Sequence, residues 1–135
     1  MRLAGILVGL VVLVLVAVGA RNLTATDADR TVRVPGGSRD RGLETIVDAG
    51  CGTCHTIPGV PSADGKVGPP LVDFAERAII AGRVPNTVPN AIRWVRAPQQ
   101  VEPGTAMPDL GLSAQQARDV VAYLYTLGSR DRGER

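Results

Sequence analysis

Cys51-Gly52-Thr53-Cys54-His55 holds the residues of this chain best placed to do chemistry. Two thiols at this spacing can each form a thioether with a vinyl group of one haem, and a histidine directly after the second cysteine can ligate its iron. The inventory narrows the reading. These are the only two cysteines, His55 is the only histidine, and Met107 is the only methionine apart from Met1. Two other chemistries use paired cysteines. A redox disulfide of the thioredoxin kind belongs in a strand-helix-strand setting, which the hydrophobic pattern here does not provide. A structural zinc site needs a full tetrahedral ligand set, where this chain offers two thiolates and one imidazole.

Met107 stands in Pro103-Gly104-Thr105-Ala106-Met107-Pro108, a stretch whose prolines exclude a regular helix. Methionine is commonly core filler. On an irregular loop more than 50 residues after His55, it is placed to supply a second axial ligand, and a thioether opposite an imidazole raises the reduction potential. Gly68-Pro69-Pro70-Leu71 has two readings. It is either a plain helix-starting turn or a rigid turn that holds a carbonyl toward the free ring nitrogen of His55, fixing its tautomer. Trp94 needs a partner for its indole N–H when buried, and a haem propionate is one acceptor. Arg83, Arg93 and Arg96 could neutralise propionates, although surface arginines are more often solvated.

The elements that position these residues read as helices and loops. Leu43, Ile46 and Val47 form an apolar stripe over 38–50, with Ser38 or Asp40 as the cap. Gly42 inside that helix costs about 0.5 to 1 kcal/mol relative to alanine. It marks either a loose first turn or a close helix crossing. Residues 57–70 are rich in glycine and proline and read as an irregular loop. A short helix is predicted over 71–82 with Leu71, Phe74, Ala75, Ala78 and Ile79 inward, and another over 87–97 capped by Thr87. Residues 113–127 show the clearest helical pattern, with a capping box of Ser113 and Gln116. No alternating strand pattern and no internal repeat are found.

Composition bounds the rest. A chain of 135 residues allows one small domain plus extras. Phe74, Trp94, Tyr123 and Tyr125 are the whole aromatic set, thin for a core of this size, and a large flat apolar ligand would complement it. From residue 38 onward 11 basic residues balance 11 acidic ones, so no basic patch argues for nucleic acid. Residues 3–20 are aliphatic or small, flanked by Arg2 and Arg21. Such a run meets the lower limit for a membrane span, and exceeds the usual apolar core of a cleaved signal peptide, whose small-residue site Val18-Gly19-Ala20 could otherwise provide. An uncleaved anchor over 1–21 is the favoured reading. Residues 22–37 then form a polar tether with a root-mean-square span of about 20 to 24 Å, and 129–135 a charged, frayed tail.

CGTCH at 51–55, GPPL at 68–71, VPNT at 84–87, IRWVRAPQ at 92–99, PGTAMP at 103–108 and VVAYLYTL at 120–127 occur in an order that resembles the small monohaem c-type cytochromes of class I. The last four are most similar to the cytochrome domain fused to subunit II of some haem–copper oxidases. The resemblance implies an all-α fold of about four helices around one covalent haem c, over 38–128. It implies thioethers at Cys51 and Cys54, axial ligation by His55 and Met107, a Pro69 carbonyl orienting His55, Trp94 on the propionate side, and a crossing of the first helix, at Gly42 and Ile46, over the last near Tyr123. With both axial positions filled, the expected role is single-electron transfer and not catalysis. The chain would pass electrons from a quinol-oxidising complex to a terminal oxidase, in the cytoplasmic membrane with its haem domain on the periplasmic side. The alternatives are the electron-accepting subunit of a periplasmic dehydrogenase and, if Met107 leaves the iron, a gas sensor or peroxidase.

Overall fold

The computed structural model describes residues 32–128. The expected anchor at 1–21, the tether up to residue 31 and the tail at 129–135 lie outside the described residues. No helix among the described residues is long and apolar enough to cross a membrane.

Among the described residues four α-helices carry the fold: α1 (Arg39–Asp48), α2 (Val88–Arg96), α3 (Pro98–Val101) and α4 (Ala114–Leu124). Local chemistry sets their starts. The Ser38 hydroxyl accepts from the Arg41 amide and the Thr87 hydroxyl from the Asn90 amide, each satisfying an N–H the helix cannot. At Ser113 the capping box is complete, with Gln116 reaching back to the Ser113 amide. Thr45 is buried where the predicted stripe had Val47, which is exposed; the Thr45 hydroxyl is satisfied by the Arg41 carbonyl at 2.8 Å.

The first and last helices pack on each other more extensively than any other pair, and α2 packs on α4 next. Gly42 is the crossing point. A Cβ there would lie 2.0 Å from the Asp119 carbonyl oxygen and 3.1 Å from Tyr123 Cβ, so the close approach tolerates no side chain. Beside it Asp119, 2% exposed, accepts from the Ser38 amide at 2.7 Å, from Arg41 Nε and Nη2 at 2.9 and 3.0 Å, and from Gln115 at 2.9 Å. Burial pushes this carboxyl's pKa up, but the Arg41 hydrogen bonds, the Ser38 amide and Gln115 together hold it below the ordinary carboxylate value.

The domain begins earlier than residue 38. Val34 is 5% exposed in the core, Gly36 turns the chain with φ 72°, and the Gly37 amide closes that turn on the Val34 carbonyl. One apolar side chain in a polar segment is enough to dock it when glycines let the backbone lie flat. A Cβ on Gly37 would stand 2.9 Å from both Ala122 Cβ and the Arg118 carbonyl oxygen of α4.

The predicted helix over 71–82 does not form. A 3₁₀ turn at Phe74–Glu76 is followed by two-residue antiparallel strands, β1 (Ile79–Ile80) and β2 (Val84–Pro85), with Ile79 opposite Pro85 and Ile80 opposite Val84. Asp73 and Ala81 adopt positive φ of 55° and 54°, which no helix accommodates. Backbone groups that a helix would pair internally are taken by side chains and by a remote carbonyl. Arg77 donates to the Pro70 and Val72 carbonyls, Asn86 to the Phe74 carbonyl, and the Ala75 amide bonds the Leu127 carbonyl. Ala78 and Ile79 are exposed, while Phe74 is buried edge-on against Tyr125 at 5.6 Å between ring centroids. The fold is thus mostly helical, with one small ladder that a search for alternating strands passes over.

Candidate cofactor site

Beyond α1, Gly50 takes a left-handed conformation (φ 68°) and a 3₁₀ turn at Cys51–Thr53 follows. The His55 amide reaches back to the Cys51 carbonyl at 3.1 Å, so both thiols and the imidazole come to one place. No disulfide joins the two cysteines, and burial raises the pKa of the Cys51 thiol above its ordinary value.

Residues 57–70 form the expected irregular loop, laced to this turn by backbone bonds. Gly65 N–H donates to the Gly52 carbonyl at 3.1 Å, Gly68 N–H to the Cys54 carbonyl at 2.8 Å, and Leu71 N–H to the Thr56 carbonyl at 2.8 Å. The lacing is tight enough to require glycine. A Cβ at position 68 would lie 2.3 Å from His55 Cε1, and one at position 65 would lie 2.4 Å from the Thr53 carbonyl oxygen. His55 Nδ1 stands 2.8 Å from the Pro69 carbonyl oxygen. A carbonyl can only accept, so Nδ1 carries the proton and Nε2 keeps the lone pair that a metal would use.

These groups open on a cavity of about 380 Å³, in the range of small-molecule and cofactor sites. Cys51, Cys54, His55, Pro69, Trp94 and Met107 all line it. Its wall continues into the core through residues such as Ile46, Phe74, Val95 and Leu124. Val67, Ile79 and Leu110, three of the five exposed large apolar side chains among the described residues, also line it. Exposed apolar surface gathered on one cavity fits a large apolar guest. The donor set fits haem: two thiols, an imidazole with a fixed tautomer, and a thioether, on an apolar wall.

Arg83 does not itself line the cavity but stands next to it, its guanidinium paired with the lining residue Glu102, with Nη2 2.9 Å from Oε1. The hydrogen bonds from Arg83 lower the Glu102 pKa and raise that of Arg83. Arg93 and Arg96 line a separate groove with Pro89, Gln100 and Asp109. The cation that does line the cavity is Arg77, which sequence reasoning missed. Its guanidinium bonds the Pro70 and Val72 carbonyls and lies 5.9 Å from the Phe74 ring centroid. A weak local signal existed, since Phe74 and Arg77 are spaced to meet on one turn. Gly68 was also missed as a site residue, although it precedes the proline pair next to the ligand.

A helical domain with these groups on one cavity has the construction of a c-type cytochrome. The family model for cytochrome c matches residues 40–128, and the chain belongs to the cytochrome c family. It is 32% identical over 89 residues to cytochrome c oxidase subunit 2 of Alkalihalophilus pseudofirmus, a match covering 65% of this chain and 25% of that protein. It is 31% identical over 88 residues to cytochrome c oxidase subunit 2 of Bacillus sp. (strain PS3), covering 62% of this chain and again 25% of the relative. The chain therefore matches about a quarter of the length of these curated relatives. No solved structure matches it significantly. Membership implies a covalently bound haem c and a role in electron transfer.

Proposed function

We propose that this chain is a membrane-tethered monohaem cytochrome that carries single electrons from a quinol-oxidising complex to a terminal haem–copper oxidase, with its haem domain on the extracytoplasmic side. The observation that carries the reading is convergence: the only two cysteines, the only histidine and the only methionine besides Met1 all line one cavity. The likeness to oxidase subunit 2 supports the oxidase as the receiving partner, and the apolar run over 3–20 supports the tether.

When bound, the haem supplies an iron that cycles between its ferrous and ferric forms by gaining or losing one electron. The chain's residues set the conditions for that. Cys51 and Cys54 anchor the group covalently through their sulfurs. Pro69 holds the His55 ring by its Nδ1 proton, which leaves Nε2 as the nitrogen that would ligate the iron. Met107 offers a soft thioether, which favours the ferrous form and raises the potential. The apolar wall keeps water away from the metal and disfavours the additional charge of the ferric state. Were His55 and Met107 both to hold the iron, no coordination position would remain for a substrate, which would suit electron transfer and not catalysis.

Fractionation of expressing cells, followed by haem staining of a denaturing gel, tests attachment and tether together. A full-length stained band in the membrane fraction is expected. A shorter, soluble stained band would replace the tether with a cleaved leader, and an unstained band would overturn the haem reading. Oxidation of the reduced protein by membranes containing a terminal oxidase then tests the partner. A stable complex with a dehydrogenase subunit, and no oxidation by the oxidase, would overturn the carrier reading.

A further inference from the structure

Met107 sits on a segment with almost no backbone scaffolding of its own. Past α3, the Thr105 amide bonds the Glu102 carbonyl at 3.1 Å, and among the described residues no other backbone-to-backbone hydrogen bond joins 103–111 to itself or to a neighbour. Pro103 and Pro108 cannot donate. A methionine side chain has three free torsions, so where its sulfur goes depends on how firmly its Cα is held.

One side chain supplies most of the missing bonds. Gln99, in α3, donates from Nε2 to the Thr105 carbonyl at 2.8 Å and to the Met107 carbonyl at 3.1 Å, while its Oε1 accepts from the Gly104 amide at 3.1 Å. The orientation of this amide is forced, because both carbonyls can only accept and the Gly104 amide can only donate. Thr105 completes the arrangement: its hydroxyl accepts from the Met107 amide at 3.3 Å. The peptide groups on both sides of the Met107 Cα are therefore held, one by Gln99 and one by a residue that Gln99 itself holds.

We infer that Gln99 is the positioning residue that presents Met107 to the cavity, and that it thereby sets how firmly the thioether stays on the iron. The inference rests on Met107 being the axial ligand. Gln99 touches neither the metal nor the sulfur; it acts by closing the loop from Gly104 to Met107 into one shape. Gln100, its neighbour, lines the separate groove and makes no hydrogen bond to this loop, which makes it the matched control.

The test compares holoprotein variants by the affinity of the ferric form for added imidazole, which competes with the thioether, and by reduction potential. Gln99→Leu removes all three bonds at nearly constant volume and is expected to raise imidazole affinity about tenfold, equivalent to about 1.4 kcal/mol, and to lower the potential. Gln99→Glu keeps the acceptor for Gly104 but sets a carboxylate against two carbonyls, and should do the same or more; it serves also if the leucine variant fails to accumulate. Gln100→Leu should match the parent. If Met107→Ala shifts both readouts and neither Gln99 variant does, even with a lowered melting temperature, Gln99 is merely structural and the inference fails. If Met107→Ala leaves both unchanged, the ligation reading itself fails and takes the inference with it.

Discussion

The two sides of the cavity are built differently. Around His55 the ring is locked by backbone: the Pro69 carbonyl on Nδ1, the Gly68 amide on the Cys54 carbonyl, and glycines at 65 and 68 where no Cβ fits. Around Met107 the backbone is held by side chains, those of Gln99 and Thr105. A wall of interlaced backbone has one arrangement. A wall held by exposed or half-buried side chains, whose bonds compete with water and are each worth about 0.5–1.5 kcal/mol net, can be loosened a step at a time. The imidazole side is locked by backbone, and the Met107 side is the one that side-chain substitutions can loosen.

Four changes would break or sharpen that contrast. The largest effect is expected of His55→Ala, which removes the sole imidazole; holoprotein should not accumulate, and a normal yield with an unaltered spectrum would contradict the assignment. Gly68→Ala comes next, because its methyl must share space with the His55 ring at 2.3 Å from Cε1. Overpacking of this kind costs about 1–3 kcal/mol, read as a lowered melting temperature together with a changed iron spectrum. An alanine variant as stable as the parent would show that the backbone side yields after all. Met107→Ala should leave a folded, covalently loaded protein with a lower reduction potential and an iron open to carbon monoxide in its ferrous form. An unchanged potential would remove Met107 from the site.

The smallest effect on the site is expected from Asp119→Asn, which touches neither wall. The folded-state pKa of Asp119 lies below its ordinary value, so the unfolded chain takes up this proton first on acidification. Its contribution to stability is full above about pH 4, the ordinary carboxylate range, and is lost as the pH falls further, through the depressed value. Urea titrations across that range should show the acid loss blunted in the asparagine variant, with the reduction potential unmoved. A shifted potential would mean that the helix crossing and the cavity are one mechanical unit.

What the sequence made legible was local. The CGTCH spacing, the caps at Ser38, Thr87 and Ser113, and the α4 stripe all depend on residues within one or two turns of each other, and all are found in the structure. The predicted helix over 71–82 failed for the converse reason. Its apolar spacing was real, but the carbonyl claims of Arg77 and Asn86, the positive φ at Asp73 and Ala81, and the remote Leu127 carbonyl on the Ala75 amide are features that periodicity does not register. The site divides the same way. Cys51, Cys54, His55 and Met107 were legible by type and uniqueness, and Pro69 as one of two readings. Arg77 and Gln99 were not, because an arginine or glutamine acquires its role only from the carbonyls that happen to lie beside it. The tether's end was misplaced by one valine, Val34, whose burial depends on glycines packing against a helix far along the chain.

The joint between α1 and α4 also orders events in time. The Asp119 carboxylate binds the Ser38 amide and Arg41 across sequence separations of 81 and 78 residues, and the Leu127 carbonyl pins Ala75. A chain delivered from its amino terminus cannot make these contacts until nearly all of the domain has emerged, and contacts this remote in sequence form slowly. During that interval the core that α4 completes through Val120, Val121 and Leu124 is not yet assembled. Late closure of this joint leaves α1, which leads into Cys51, without the α4 surface it packs on until the last helix has formed.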